Sequence, residues 1–213
     1  MIRITPLQIG IDEVGRGAWA GPIVGAAVWF PHKVNIPKKI YLRDSKVLTK
    51  DQRERASMFI LQGSIYYIYS ISSLMIDSLG IQKSNQILLR KCSNGIVRRI
   101  KAVKKSLFVK EQAKIFIDGR KICNIDFPNE YIEKGDSKYQ VIAAASIIAK
   151  VERDRIMKEF SKKYPNYLFD RHVGYGTKQH QYTLDRYGPC PLHRKSYKPI
   201  KKVINRGIEL SVL

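Results

Sequence analysis

The chain is short of acid. Its 213 residues carry 18 Asp and Glu against 39 Lys and Arg, a formal charge of +21. So large an excess repels itself in a compact state unless a polyanion neutralises it. Nucleic acid fits best, because each neutralised phosphate releases a counterion. A membrane surface is the rival partner, but no long basic amphipathic helix stands out. Cysteine is scarce too. Cys92, Cys123 and Cys190 form no metal-spaced pair and leave an odd count, which points to a reducing compartment. Long apolar runs are missing, so no segment is read as spanning a bilayer, and Met1 to Pro6 lacks the apolar core of a signal peptide. A cytoplasmic protein is expected. There is no internal repeat and no low-complexity linker. The chain therefore reads as a single domain over 1–213, with about 164–213 as a basic C-terminal extension.

What is present has the pattern of an α/β protein. Leu7 to Asp12 and Ile23 to Phe30 read as apolar strands joined by a Gly-rich connection, Gly15-Arg16-Gly17-Ala18-Trp19-Ala20-Gly21-Pro22. Thr49 with Gln52 forms a capping box that opens a helix to about Leu61. Ser64 to Ile71 is aromatic and β-branched enough for a strand. A longer helix is predicted from about Ser84 to Lys105, with Leu88, Cys92, Ile96, Ile100 and Val103 on one face. Ala113 to Asp118 reads as a buried strand, Tyr131 to Lys134 as a short one, and Ser137 to Lys163 as one long helix. A further helix is predicted over Thr177 to Tyr187, followed by a basic tail.

Four acids punctuate this pattern. Asp12 and Glu13 end the first strand, Asp118 ends a later one before Gly119, and Asp136 follows Gly135. Singly, each has an ordinary explanation as a helix cap or turn former. Together, on strand ends of one sheet, they can converge. Adjacent acids in apolar surroundings are costly unless a cation compensates them. Hard oxygen ligands suit Mg²⁺ or Mn²⁺ rather than zinc. Two such ions roughly 3.5–4 Å apart clamp the attacking and leaving oxygens of a phosphodiester.

The blocks IGIDEVGRGAWAGPIVGAAV, LRDSKVLT, IFIDGR, KGDSKYQVIAAASIIAKVERDR and HVGYGTKQH followed by GPCPLHRKSY resemble, in order, the signature blocks of ribonuclease HII from about residue 8 to 199. The resemblance implies a ribonuclease H-like fold, with a central five-stranded mixed sheet flanked by helices and a helical C-terminal extension. It implies an endoribonuclease acting on RNA·DNA hybrids and on single ribonucleotides embedded in duplex DNA. Such an enzyme cuts 5′ of the ribonucleotide by two-metal-ion catalysis and leaves 3′-hydroxyl and 5′-phosphate ends. It matches Asp12, Glu13, Asp118 and Asp136 to the metal-binding catalytic acids. Gly15, Arg16 and Gly17 match the loop whose backbone approaches the 2′-hydroxyl, and Tyr175 the tyrosine that contacts it and stacks on the adjoining sugar. That hydroxyl is what separates RNA from DNA at a site. One departure is visible: Ala18-Trp19 stands where the family commonly has Pro and a small or aliphatic residue. Ribonuclease HIII is disfavoured by the missing N-terminal extension and by Gly-Arg-Gly after the acids.

Lys46, in Asp44-Ser45-Lys46, is a candidate phosphate contact. The run Arg98 to Lys105 reads as the solvated face of a helix. From Arg186 to Gly207 there is no acid, and this tail reads as a surface that tracks a nucleic-acid backbone. His172, His180 and His193 lack zinc spacing and read as structural or phosphate-contacting, and Trp19 and Trp29 as packing residues. Two competing readings remain: a basic duplex-binding protein without turnover, and a structure-selective DNA resolvase on the same fold. Nothing demands more than a monomer.

Overall fold

Strand β1 (Leu7–Val14) lies at the middle of a five-stranded sheet with the order β3-β2-β1-β4-β5. The computed structural model describes residues 7–31, 37, 40, 42, 45, 47–103 and 113–211, with backbone alone beyond 206. β2 (Ile23–Trp29) runs antiparallel to β1, pairing Asp12 with Ala26 and Glu13 with Gly25. β4 (Ala113–Asp118) runs parallel to β1, pairing Ile11 with Ile117, and β5 (Asn129–Ile132) runs parallel to β4. β3 (Ile65–Ile71) forms the far edge.

The chain forms two compact units. The first comprises the residues up to Val14, Val24–Tyr69 and Gln86–Val151; the second comprises Gly15–Ile23, Ser70–Asn85 and the residues from Glu152 onward. In the first unit both faces of the sheet are covered. Ile9, Ile11, Ala27, Trp29, Ile115 and Ile117 pack with Leu89, Cys92, Ile96 and Ile100 of α3 (Ile81–Val103). On the opposite face Ala26 and Val28 pack with Ala56 and Ile60 of α1 (Lys50–Gly63) and with Ala144, Ala145 and Ile148 of α4 (Gln140–Lys163). A Cβ on Gly10 would collide with the Val141 carbonyl, so the start of α4 meets the β1 backbone directly. Side chains alternate along a strand, so Asp12 shares the Gly10 face and looks toward α4.

The second unit is built from α2 (Ser73–Leu79), the second half of α4, α5 (Phe169–His172), α6 (Lys178–Tyr187) and α7 (Lys198–Ser211). Ala20, Met157, Tyr167, Phe169 and Cys190 form its apolar core. Asp77 of α2 holds the turn before α7, accepting the N–H groups of Lys195 and Ser196 at 2.8 Å each.

The predicted elements are present with shifted edges. The capping box at Thr49 is formed as read. The long helix begins at Gln140 rather than Ser137, because Gly135–Ser137 winds as a separate 3-10 turn after Lys134, which is left-handed at φ 55°. Asp136 therefore sits in that turn, not on the helix. The same left-handed residue lies beyond β5, which ends at Ile132 instead of Lys134. The predicted Ser84 to Lys105 helix begins at Ile81, helix α2 was not anticipated, and α7 was expected only as part of the helical C-terminal extension that the resemblance implies, without bounds. Among the described residues, no helix is long and apolar enough to cross a membrane.

Candidate active site

The four acids share the first unit, and the sheet explains how. Parallel pairing of β1 with β4 puts Asp12 one step past the Ile11–Ile117 pair and Asp118 one step past its partner. The two carboxylates thus leave neighbouring strands at the same end of the sheet. Glu13 follows Asp12 on β1. Asp118 Oδ1 accepts the Gly135 N–H at 2.7 Å, which ties the strand end to the turn that carries Asp136. Residues more than a hundred positions apart in the chain meet here.

Asp12 and Asp136 are each only 7% exposed. Asp12 Oδ1 accepts the Glu13 N–H at 2.7 Å, and Ser146 of α4 also hydrogen-bonds this carboxyl. Ser146 Oγ lies 3.0 Å from Ser45 Oγ, so both serines belong to the buried support of the acid. Burial first, then the charges of Glu13 and Asp118, push the Asp12 carboxyl well above the usual carboxylate range. A bound divalent cation would relieve all three causes while leaving the carboxylate ionised, and an all-oxygen donor set is what a hard divalent ion takes. The residues therefore fit such an ion. Among the described residues, no three His, Cys, Asp or Glu side chains are already closed into a ligand set. Asp12, Glu13 and Asp118 stand as like-charged neighbours.

Gly15, Arg16, Gly17 and Tyr175 share the second unit, where Arg153 links them. Gly15 has φ 92°, and a Cβ there would run into Arg153 Nε. The same guanidinium lies 5.3 Å from the centre of the Tyr175 ring. It donates to the carbonyls of Pro22, Ala20 and Val173 at 2.9, 3.2 and 2.8 Å. The Arg16 carbonyl is held by Arg194 Nη1 at 2.9 Å and by the Tyr197 hydroxyl at 2.6 Å. Both arginines are wholly buried, whereas Arg16 and Gly17 are exposed. A Cβ on Gly17 would meet nothing within 4 Å, and its backbone is not left-handed, so neither packing nor conformation requires glycine there.

The sequence matches the family model of Ribonuclease HII over residues 9–200. The chain belongs to the ribonuclease HII family. It is 44% identical over 194 residues to the ribonuclease HII of Clostridium tetani, covering 90% of this chain and 67% of that one. It is 40% identical over 198 residues to that of Caldanaerobacter subterraneus subsp. tengcongensis, covering 92% and 74% respectively. Its fold matches the crystal structure of ribonuclease H2 from Pyrococcus horikoshii with a TM-score of 0.68 and 26% identity, over 93% of this chain and 97% of that one. Membership of ribonuclease HII makes the chain a metal-dependent endoribonuclease of RNA·DNA hybrids with the ribonuclease H-like fold.

Two features of this ribonuclease HII sequence change meaning in three dimensions. Trp19, at the departure from the family pattern, packs its ring so closely on Gly176 that a Cβ there would overlap it. Arg153, which sequence reasoning passed over among 39 basic residues, is the internal strut of the second unit. Ser146, a partner of Asp12, and Ser45 behind it were also missed; only the abrupt serine after Ala143-Ala144-Ala145 hinted at a polar task. Lys46 lies outside the described residues. Arg98, Arg99 and Lys101 are exposed beside buried Val97 and Ile100, the solvated helix face read from the sequence.

Proposed function

We propose that this chain hydrolyses the phosphodiester on the 5′ side of a ribonucleotide, both in RNA·DNA hybrids and at single ribonucleotides in duplex DNA, leaving 3′-hydroxyl and 5′-phosphate ends. The observation that carries this reading is Asp12: a buried carboxyl flanked by two further acids, in a protein of charge +21. Asp12, Glu13, Asp118 and Asp136 would hold two Mg²⁺ or Mn²⁺ ions, which polarise the phosphoryl group and supply a nucleophile at neutral pH. The protein's own part is to hold these oxygens together and aimed. Ser146 and the Glu13 N–H orient Asp12, and the Gly135 N–H orients Asp118.

Selection of the ribonucleotide falls to Gly15-Arg16-Gly17 and Tyr175. Gly17, free of any demand from the protein, leaves its backbone open to a sugar 2′-hydroxyl. The Tyr175 ring, half-buried over Arg153, offers a face to the adjoining sugar. Exposed Lys195, Lys198, Lys201, Lys202 and Arg206 supply a backbone-tracking surface, and Lys46 a phosphate contact. A monomer in the cytoplasm suits three free cysteines.

A labelled DNA duplex with one ribonucleotide, incubated with Mg²⁺ or Mn²⁺, tests the reading. One nick 5′ of the ribonucleotide is expected, with none in the all-DNA duplex. No cleavage with either ion, or cleavage of ribose-free four-way junctions instead, would refute it.

A further inference from the structure

Three histidines of the second unit, His172, His180 and His193, are buried close together at 6, 0 and 1% exposure. The His172 and His180 rings stack at 4.2 Å, and His180 Nε2 lies 3.0 Å from His193 Nε2. Two nitrogens at that separation need one proton between them, and the groups at each end of the chain decide whose it is. His193 Nδ1 lies 2.9 Å from the Cys190 N–H and 3.3 Å from the Cys190 carbonyl, which already accepts the His193 backbone N–H at 3.0 Å; the nearer contact, with a group that can only donate, makes Nδ1 the acceptor and puts the ring's own proton on Nε2. His180 Nε2 must then be the bare acceptor, which leaves its proton on Nδ1, 3.0 Å from the Tyr175 carbonyl. The opposite arrangement would set a bare nitrogen against that carbonyl and an N–H against the Cys190 N–H. Charging either ring would place N–H against N–H at one of these contacts. One neutral arrangement satisfies every group.

The relay ends on a segment that needs holding. Val173 is β-branched yet left-handed at φ 42°, followed by Gly174 at φ 81°, a conformation that persists only where the surroundings over-determine it. His172 Nδ1 accepts the Gly174 N–H at 3.2 Å, the Gly174 carbonyl accepts the Trp19 N–H at 2.7 Å, and Arg153 holds the Val173 carbonyl. The Tyr175 carbonyl receives both the Thr177 N–H at 2.9 Å and His180 Nδ1–H. Burial lowers His180 to about 3 and His193 to about 4, which keeps the relay neutral at working pH.

We propose that His180 and His193 are positioning residues for Tyr175: the directed chain Cys190 N–H to His193 to His180 to the Tyr175 carbonyl fixes where that ring stands, and so how well a ribonucleotide is held. This rests on the reading of Tyr175 as the sugar contact. Nitrogen-15 NMR of the full chain reads the relay without any substrate. A proton on His193 Nε2 coupled across to His180 Nε2, with His180 protonated on Nδ1, is expected; both rings protonated on Nε2 would overturn the proposal. Kinetics on the one-ribonucleotide duplex then test the consequence. His193→Phe should raise KM on the order of tenfold with kcat nearly kept, and His193→Gln, whose amide N–H reaches as far, should restore most of it. In a Tyr175→Ala background His193→Phe should add nothing. Equal factors in both backgrounds would make the pair merely structural and end the proposal. An unchanged KM in Tyr175→Ala alone would remove the reading of Tyr175 on which it rests.

Discussion

Asp12 in the first unit and Arg153 in the second are both buried ionisable side chains, and the protein treats them in opposite ways. Arg153 is surrounded by what a guanidinium wants: three backbone carbonyls, from Ala20, Pro22 and Val173, each within hydrogen-bond reach. Asp12 is surrounded by what a carboxylate resists, Glu13 and Asp118, with one backbone N–H and Ser146 as partial relief. Charge that is met in this way is architecture; charge met only in part, in a protein of net +21, is on the proposed reading a place held for a cation.

If that distinction holds, substitutions at the two places should separate activity from stability. Asp118→Asn should lower kcat on the order of a thousandfold or more while leaving duplex affinity nearly intact, because the basic surface is untouched. Cleavage and filter binding measured on the same preparation check it. Lost binding would recast the acid as structural. Asp12→Asn should also be inactive, yet its unfolding midpoint in metal-free buffer should be unchanged or higher, since a buried like-charge contact is gone.

Arg153→Met should do the reverse. It strands three buried carbonyls and empties the space under Gly15, costing about 3 kcal/mol of stability. Arg153→Lys should not rescue it, because an ammonium cannot reproduce the guanidinium fork. Denaturant titration decides this. A variant as stable as the parent would mean the carbonyls find other donors, and the contrast with Asp12 would fail.

Metal is the next lever. An ion that binds only the native state stabilises it by about 2.7 kcal/mol at about a hundred times its dissociation constant. Mn²⁺ or Mg²⁺ should therefore raise the unfolding midpoint of the parent protein, chelation should reverse the gain, and Asp12→Asn should show little of it. An equal gain in that variant would place the stabilising ion elsewhere.

The same contrast explains what could be read from the sequence. Asp118 and its strand, Ala113–Asp118, were legible to the residue, because an apolar run ending in acid and glycine is a local pattern. So was the Thr49 capping box. Ser45 and Ser146 were not, since their contact spans 101 positions and the break that Ser146 makes in its alanine run does not say what it faces. Arg153 resembled any other base on a helix, because burial of a charge leaves no periodic trace. Helix α7 was hidden by its lysines. Read by spacing, Ile200, Val203 and Ile204 give it an apolar stripe, and Ile200 is fully buried. Helix α2 was passed over although Ser72 caps it, accepting the Met75 N–H at 3.3 Å.

His180 and His193 represent a third treatment of a buried ionisable group, in which the charge is refused altogether. Both are held below the ordinary imidazole value, at about 3 and about 4, with burial the leading cause. In the unfolded chain each takes its proton near about pH 6.5, as a free imidazole does, whereas in the folded state it does not until much lower. The unfolded state therefore binds more protons over that interval, and stability falls as pH drops from about 6.5 toward about 4. Each histidine contributes a slope of at most about 1.4 kcal/mol per pH unit. Asp12 works in the other direction: its raised folded value means the native state gains protons first, and stability rises as pH falls through that value. The two effects overlap in the parent protein but are separable by subtraction. His193→Gln removes one imidazole and keeps Asp12, so the difference between the two stability–pH curves should slope below about pH 6.5 and flatten above it. A difference that stays level throughout would show that His193 is charged in the native state, and with it the neutral relay to Tyr175 would be lost.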